Sequence, residues 1–219
     1  MSIATMVIGE SGTGKSASMR NLSAADTLLI QTVKKPLPFR SAEWKRFDKE
    51  HCPTGNIFTT DDSRRIVSLM QRTRRPVIVI DDFQYLLANE YMRRSDEKGF
   101  EKFSDIGRHA WDVLSAASQL TDRTRVYILA HSATDEFGRT RAKTIGKLLD
   151  EKITVEGLFS IVLRTVVRDG EYHFATRNTG QDTTKSPIGL FDSDMIPNDL
   201  AAVDAAICEY YELTTTTEQ

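Results

Sequence analysis

A run of apolar and β-branched residues, Ile3 to Ile8, breaks directly into Gly9-Glu10-Ser11-Gly12-Thr13-Gly14-Lys15-Ser16. A buried strand that stops at a glycine-rich turn and resumes as a helix belongs to an α/β chain with a mostly parallel sheet. The turn fits the phosphate-binding pattern G-x-x-x-x-G-K-[ST]. Gly9, Gly12 and Gly14 lack a Cβ, so the backbone can curl and aim its N–H groups at phosphate oxygens. Lys15 can reach the β- and γ-phosphates, the Ser16 hydroxyl can join a Mg²⁺ shell, and a helix starting near Lys15 adds the positive end of its dipole. ATP with Mg²⁺ is therefore the expected ligand, held by the whole segment from Gly9 to Ser16.

A second signal lies at Pro76-Val77-Ile78-Val79-Ile80-Asp81-Asp82, an apolar strand ending in two carboxylates. This is the Walker B pattern, expected on a strand next to the phosphate loop, with Asp81 as the metal-shell residue. A buried strand can equally end in an Asp that caps the next turn. Asp82 is then the nearest acid to orient or deprotonate an attacking water, with Glu10 inside the phosphate loop as the fallback base. Arg125 to Ala130 reads as another buried strand, ending at His131. A polar residue there can sense the γ-phosphate, or simply be a hydrogen-bonded packing residue. The expected catalytic set is Lys15, Asp82, Glu10 and His131.

Between these landmarks the pattern gives a second strand over Thr27 to Val33, then a proline-broken segment Lys34 to Arg40. A short strand near Asn56 to Thr60 precedes a helix capped by Asp61 or Asp62 and running through Arg72. Phe103, Ile106, Ala110, Val113, Ala117 and Leu120 recur at helical spacing and mark a long amphipathic helix. Ser132 to Lys152 has no strand pattern and reads as a mobile basic loop with Arg139, Arg141, Lys143 and Lys147, able to grip a nucleic-acid backbone, serve a subunit interface, or remain a solvated loop. Asp169-Gly170 between two apolar runs signals an antiparallel hairpin. Asn198 is the expected cap of a last helix bearing Leu200, Val203 and Ile207. Residues 1–212 are expected to form one domain and 213–219 a flexible tail.

Composition mainly excludes. Lys and Arg number 29 against 31 Asp and Glu, so a nucleic-acid partner would need a local basic surface. Cys52 and Cys208 are far apart and outside any spaced ligand cluster, which argues against zinc and for a reducing cytoplasm. No apolar run reaches membrane-spanning length and no signal-peptide pattern opens the chain.

The order of elements resembles the RecA-like core ATPases of bacteriophages, including those described as single-strand annealing or recombination ATPases. Beyond the two nucleotide motifs, the resemblance rests on Lys35-Pro36-Leu37-Pro38-Phe39, Thr144-Ile145-Gly146-Lys147, Glu156-Gly157-Leu158-Phe159, Lys185-Ser186-Pro187 and Pro197-Asn198-Asp199-Leu200. It implies a RecA-like P-loop NTPase core and an ATPase that forms a homo-oligomer on single-stranded DNA in phage recombination or replication, in the cytoplasm of a host bacterium. His131 would match the γ-phosphate sensor, Ser132 to Lys152 the second DNA-binding loop, and the region after Asp82 the first. Lys143 and Lys147 would act across an interface. A nucleotide-switched interaction protein, such as a helicase loader that docks a phage or host protein without touching DNA, would use the same loop differently. A kinase would need a second phosphate clamp, and none is evident.

Overall fold

The computed structural model describes residues 1–145 and 153–213. Its core is a nine-stranded, mostly parallel sheet flanked by helices, the α/β architecture that the sequence pattern predicts. The strands are β1 (Ile3–Gly9), β2 (Thr27–Gln31), β3 (Ile57–Thr59), β4 (Val77–Asp81), β5 (Arg125–Thr134), β6 (Thr140–Ala142), β7 (Ile161–Arg168), β8 (Glu171–Ala175) and β9 (Met195–Pro197). Their spatial order is β3-β2-β4-β5-β1-β7-β8-β9, with β6 attached to the far end of β5. Strands β3 to β7 along this path run parallel, while β7, β8 and β9 form the antiparallel end of the sheet.

Buried parallel strands must be apolar on both sides, and the period of two sorts their side chains onto two cores. Ile8, Ile30, Ile80 and Ile128 face one core, covered by α1 (Ser63–Arg72), α2 (Gln84–Arg93) and α3 (Glu101–Ala117). Val7, Leu29, Val79 and Leu129 face the other, closed by α4 (Leu200–Tyr210), whose Leu200, Val203 and Ile207 are buried as their spacing predicts. Asp62 caps α1 by accepting a hydrogen bond from the Arg65 N–H.

Several expectations need correction. The helix after the phosphate loop is only a six-residue 3₁₀ turn, Ser16–Asn21. Its hydrogen bonds are too few to sum to a strong dipole, so the loop's own N–H groups must carry most of any anion recognition. Strand β4 is not adjacent to β1, because β5 lies between them. Nor does β5 stop at His131. It continues to Thr134 and turns back as β6, pairing Ser132 with Ala142 and Thr134 with Thr140, so the first part of the expected mobile loop is an ordered hairpin. Short polar strands of this kind carry no apolar alternation for a sequence pattern to detect. Asp199, not Asn198, caps α4, accepting from the Ala201 N–H. Lys147 lies outside the described residues, as does the expected tail from Thr214 onward.

Candidate nucleotide site

Parallel strands collect their loops at the carboxyl edge of the sheet, and here that edge gathers the charged residues. Gly9 pairs in register with His131 across β1 and β5, while Asp81 pairs with Gln31 across β4 and β2. The phosphate loop is pinned to the next strand on the other side. Thr13 and Thr165 share a 2.6 Å hydroxyl hydrogen bond, and a Cβ on Gly9 would collide with both hydroxyls. Gly14 has φ +93° and faces Tyr172 and Asn198, whose atoms would lie 2.9 to 3.3 Å from any Cβ there. Glycine is required at both positions, for space at the first and for both space and backbone conformation at the second.

The Ser16 hydroxyl donates to Asp81 Oδ1 at 2.8 Å, spanning the width of the intervening strand. Asp81 is 1% exposed, and its Oδ2 has no hydrogen-bond partner. Burial, with the neighbouring Asp82 charge, pushes the Asp81 carboxyl above its ordinary range. A buried carboxylate oxygen without a donor, beside a serine hydroxyl, suits a hard cation that takes oxygen ligands. No cluster of three or more His, Cys, Asp or Glu that could hold a metal occurs among the described residues. The chain therefore offers a partial shell, as expected for Mg²⁺, which commonly keeps water and substrate phosphates as its remaining ligands.

Asp82 sits at φ +61°, a left-handed conformation that Asp tolerates better than most residues. The Thr32 hydroxyl locks this corner by donating to the Asp82 carbonyl oxygen at 2.8 Å. The Asp82 side chain meets a lysine and a histidine. Its Oδ2 is ion-paired with Lys35 Nζ, and its Oδ1 lies 3.6 Å from His131 Nε2. Burial raises the Asp82 carboxyl, but His131 and Lys35 outweigh it and hold the group below its ordinary value. Gln84 fixes the His131 backbone by accepting from its N–H at 2.9 Å.

Lys15 is folded into its own loop, where Nζ donates to the Gly9 and Glu10 carbonyl oxygens at 2.8 and 2.7 Å. Burial dominates its titration and pushes it down to about 8, against the pull of Asp82 and Asp81. A cavity of about 360 Å³ opens over this arrangement, lined by Ser11, Gly12, Gly14, Lys15 and Ser16 from the loop. Lys35, Asp82, His131 and Tyr172 close its other walls. The structure thus brings the phosphate loop, Asp82 and His131 around one cavity, with Asp81 behind Ser16. Glu10 is solvent-exposed and does not line that cavity. Arg139, Arg141 and Lys143 are exposed on or beside the β5–β6 hairpin.

Sequence reasoning passed over Lys35, Thr32, Thr165, Tyr172 and Asn198 as site residues. The detectable signal was position, since Thr32 and Lys35 follow the carboxyl end of a strand adjacent to the acidic one.

No protein-family model matches the chain, and no curated protein does. Among solved structures, the chain is similar to a KaiC-like protein from the hyperthermophilic archaeon Pyrococcus horikoshii OT3. The two share 10% identity over 84% of this chain and 83% of that one, with a TM-score of 0.49.

Proposed function

We propose that this chain is a Mg²⁺-dependent ATPase that works on single-stranded DNA. The observation that carries the nucleotide part is the Ser16 to Asp81 hydrogen bond beneath the phosphate loop, which joins the hydroxyl and carboxylate a Mg²⁺-nucleotide requires. Ser16 and Asp81 would hold Mg²⁺, which would supply positive charge against the charge that develops on the phosphates. The chain's own residues divide the remaining work. Lys15 exchanges its two carbonyl partners for phosphate oxygens, and the loop N–H groups of Gly12 to Ser16 close around them. Asp82 accepts a hydrogen bond from the attacking water and aims it. His131, between Asp82 and the hairpin, contacts the terminal phosphate. Glu10, which is exposed and off the cavity, would have to turn inward to serve as the second acid.

The DNA part rests on the hairpin that grows out of the same strand as His131. It presents Arg139 and an exposed Phe137 at its turn and Arg141 on β6, a combination suited to a phosphate backbone and unstacked bases. The setting in phage recombination, annealing or replication, and the homo-oligomer, rest on the resemblance of the motif blocks. ATP hydrolysis measured with and without single-stranded DNA, over a salt series, tests this reading. DNA stimulation and binding that weakens steeply with salt are expected. Nucleotide binding without any DNA binding at low salt would overturn the DNA role and favour a nucleotide-switched interaction protein. The Arg141 to Asp135 pair at 3.5 Å, which partly neutralises the hairpin, is the observation on that side.

A further inference from the structure

Lys35 occupies an unusual place for a basic residue. Its ammonium is ion-paired with Asp82 Oδ2 and lies 3.8 Å from Asp81 Oδ2, the buried oxygen that has no hydrogen-bond donor. Two adjacent carboxylates that are both nearly inaccessible to water need a cation nearby, because their like charges repel and little solvent screens them. Lys35 supplies that cation from the wall of the cavity it shares with Lys15, Ser16 and His131.

The two parts of Lys35 are held very differently. Its carbonyl oxygen accepts from Arg46 Nη2 at 3.0 Å, and Arg46 Nη2 also donates to Gln31 Oε1 at 2.9 Å, which ties this backbone to the end of β2. Pro36 follows directly and stiffens the chain. The side chain, by contrast, is 36% exposed and has a flexible four-carbon stem. A fixed backbone with a mobile head is suited to exchanging one anionic partner for another.

A divalent cation seated on Ser16 and Asp81 would supply more positive charge to the acidic pair than an ammonium does. It would also repel Lys35 from it. A triphosphate entering with that cation offers fresh negative charge in the same cavity, on the side of Asp82 and His131. We propose that Lys35 is a tethered placeholder for the metal. It neutralises Asp81 and Asp82 in the ligand-free protein and transfers to the terminal phosphate when a metal-bound nucleoside triphosphate enters, so that it sets the preference for triphosphate over diphosphate. This inference rests on the nucleotide-binding reading above.

Equilibrium binding of a non-hydrolysable ATP analogue and of ADP, each with Mg²⁺, is measured for the wild type and for Lys35→Met. A charge-assisted hydrogen bond to phosphate is lost in the variant, so its triphosphate-to-diphosphate affinity ratio is expected to fall by about tenfold or more. In a second measurement, Mn²⁺ alone is titrated into the nucleotide-free proteins. Lys35→Met is expected to bind it about tenfold more tightly, because the resident cation is gone. Should Lys35→Met not fold, Lys35→Gln, which keeps a hydrogen-bonding head without the charge, takes its place. It must lose the triphosphate preference in the same direction. An unchanged affinity ratio in the folded variant overturns the proposal and makes Lys35 a permanent counter-ion. A wild type that binds neither nucleotide overturns the underlying nucleotide reading as well.

Discussion

Lys15 donates to the carbonyl oxygens of Gly9 and Glu10, so its ammonium is satisfied before any ligand arrives. Replacing it with Ala frees two acceptors and removes the cation for the phosphates, and Lys15→Ala is expected to lose tight triphosphate binding, by about a hundredfold or more in a calorimetric titration. Its lowered pKa of about 8 gives a pH dependence with a definite sign. In the free protein the ammonium is fully present below this value, and bound phosphate raises its pKa. Binding therefore takes up a proton above pH 8, and affinity should fall by up to about tenfold per pH unit as pH rises beyond it. Proton uptake, read from calorimetry in buffers of different ionisation enthalpy, checks this, and a flat profile to about pH 9.5 would mean that burial does not depress the Lys15 ammonium. Asp82→Asn should leave nucleotide affinity within about threefold while lowering turnover by about a hundredfold or more. Normal turnover would shift the role to Glu10.

The β5–β6 hairpin shows where a sequence pattern stops being informative. Apolar runs located β1, β2, β4 and most of β5, because each is buried on both faces. The last residues of β5 and the first two of β6 leave the core, and only Ala142 is buried there, so no apolar run marks this pairing in the sequence. The 3₁₀ turn after the phosphate loop escaped for a related reason, since an apolar residue such as Met19 is buried in either kind of helix. Asp169 and Gly170 were legible because both lie at positive φ in a tight turn, a requirement that does mark the sequence. At the same scale, Arg139→Ala with Arg141→Ala should weaken single-stranded DNA binding and reduce its salt slope by about 1.4 units, with DNA-independent ATP hydrolysis unchanged. An unaltered salt slope would clear the hairpin of a DNA role.

Across the whole molecule, the sheet is held at its other edge by a polar tie that no motif announces. Arg125, at the start of β5, makes two hydrogen bonds to Asp204 of α4 at 2.9 and 2.8 Å, and Tyr127 donates to the same carboxylate at 2.6 Å. Tyr127 and Arg125 are buried, so Asp204→Ala would strand a guanidinium and a phenol away from water. It should cost about 3 kcal/mol in urea unfolding, whereas a loss below about 0.5 kcal/mol would mean the network is solvated. Partners 79 residues apart become neighbours only once the sheet has formed, which is why spacing could not foretell them. Strand β5 thus begins in this tie and ends in the hairpin, flanked throughout its core by β1 and β4. A strand laced on both sides cannot slide. Its outer end is tied as well, because the Thr140 N–H donates to the Gln181 carbonyl oxygen at 2.8 Å and the Ala142 N–H to Glu156 Oε1 at 2.7 Å, so a bulky label at Phe137 would report on the turn beyond these ties while leaving the anchored length undisturbed.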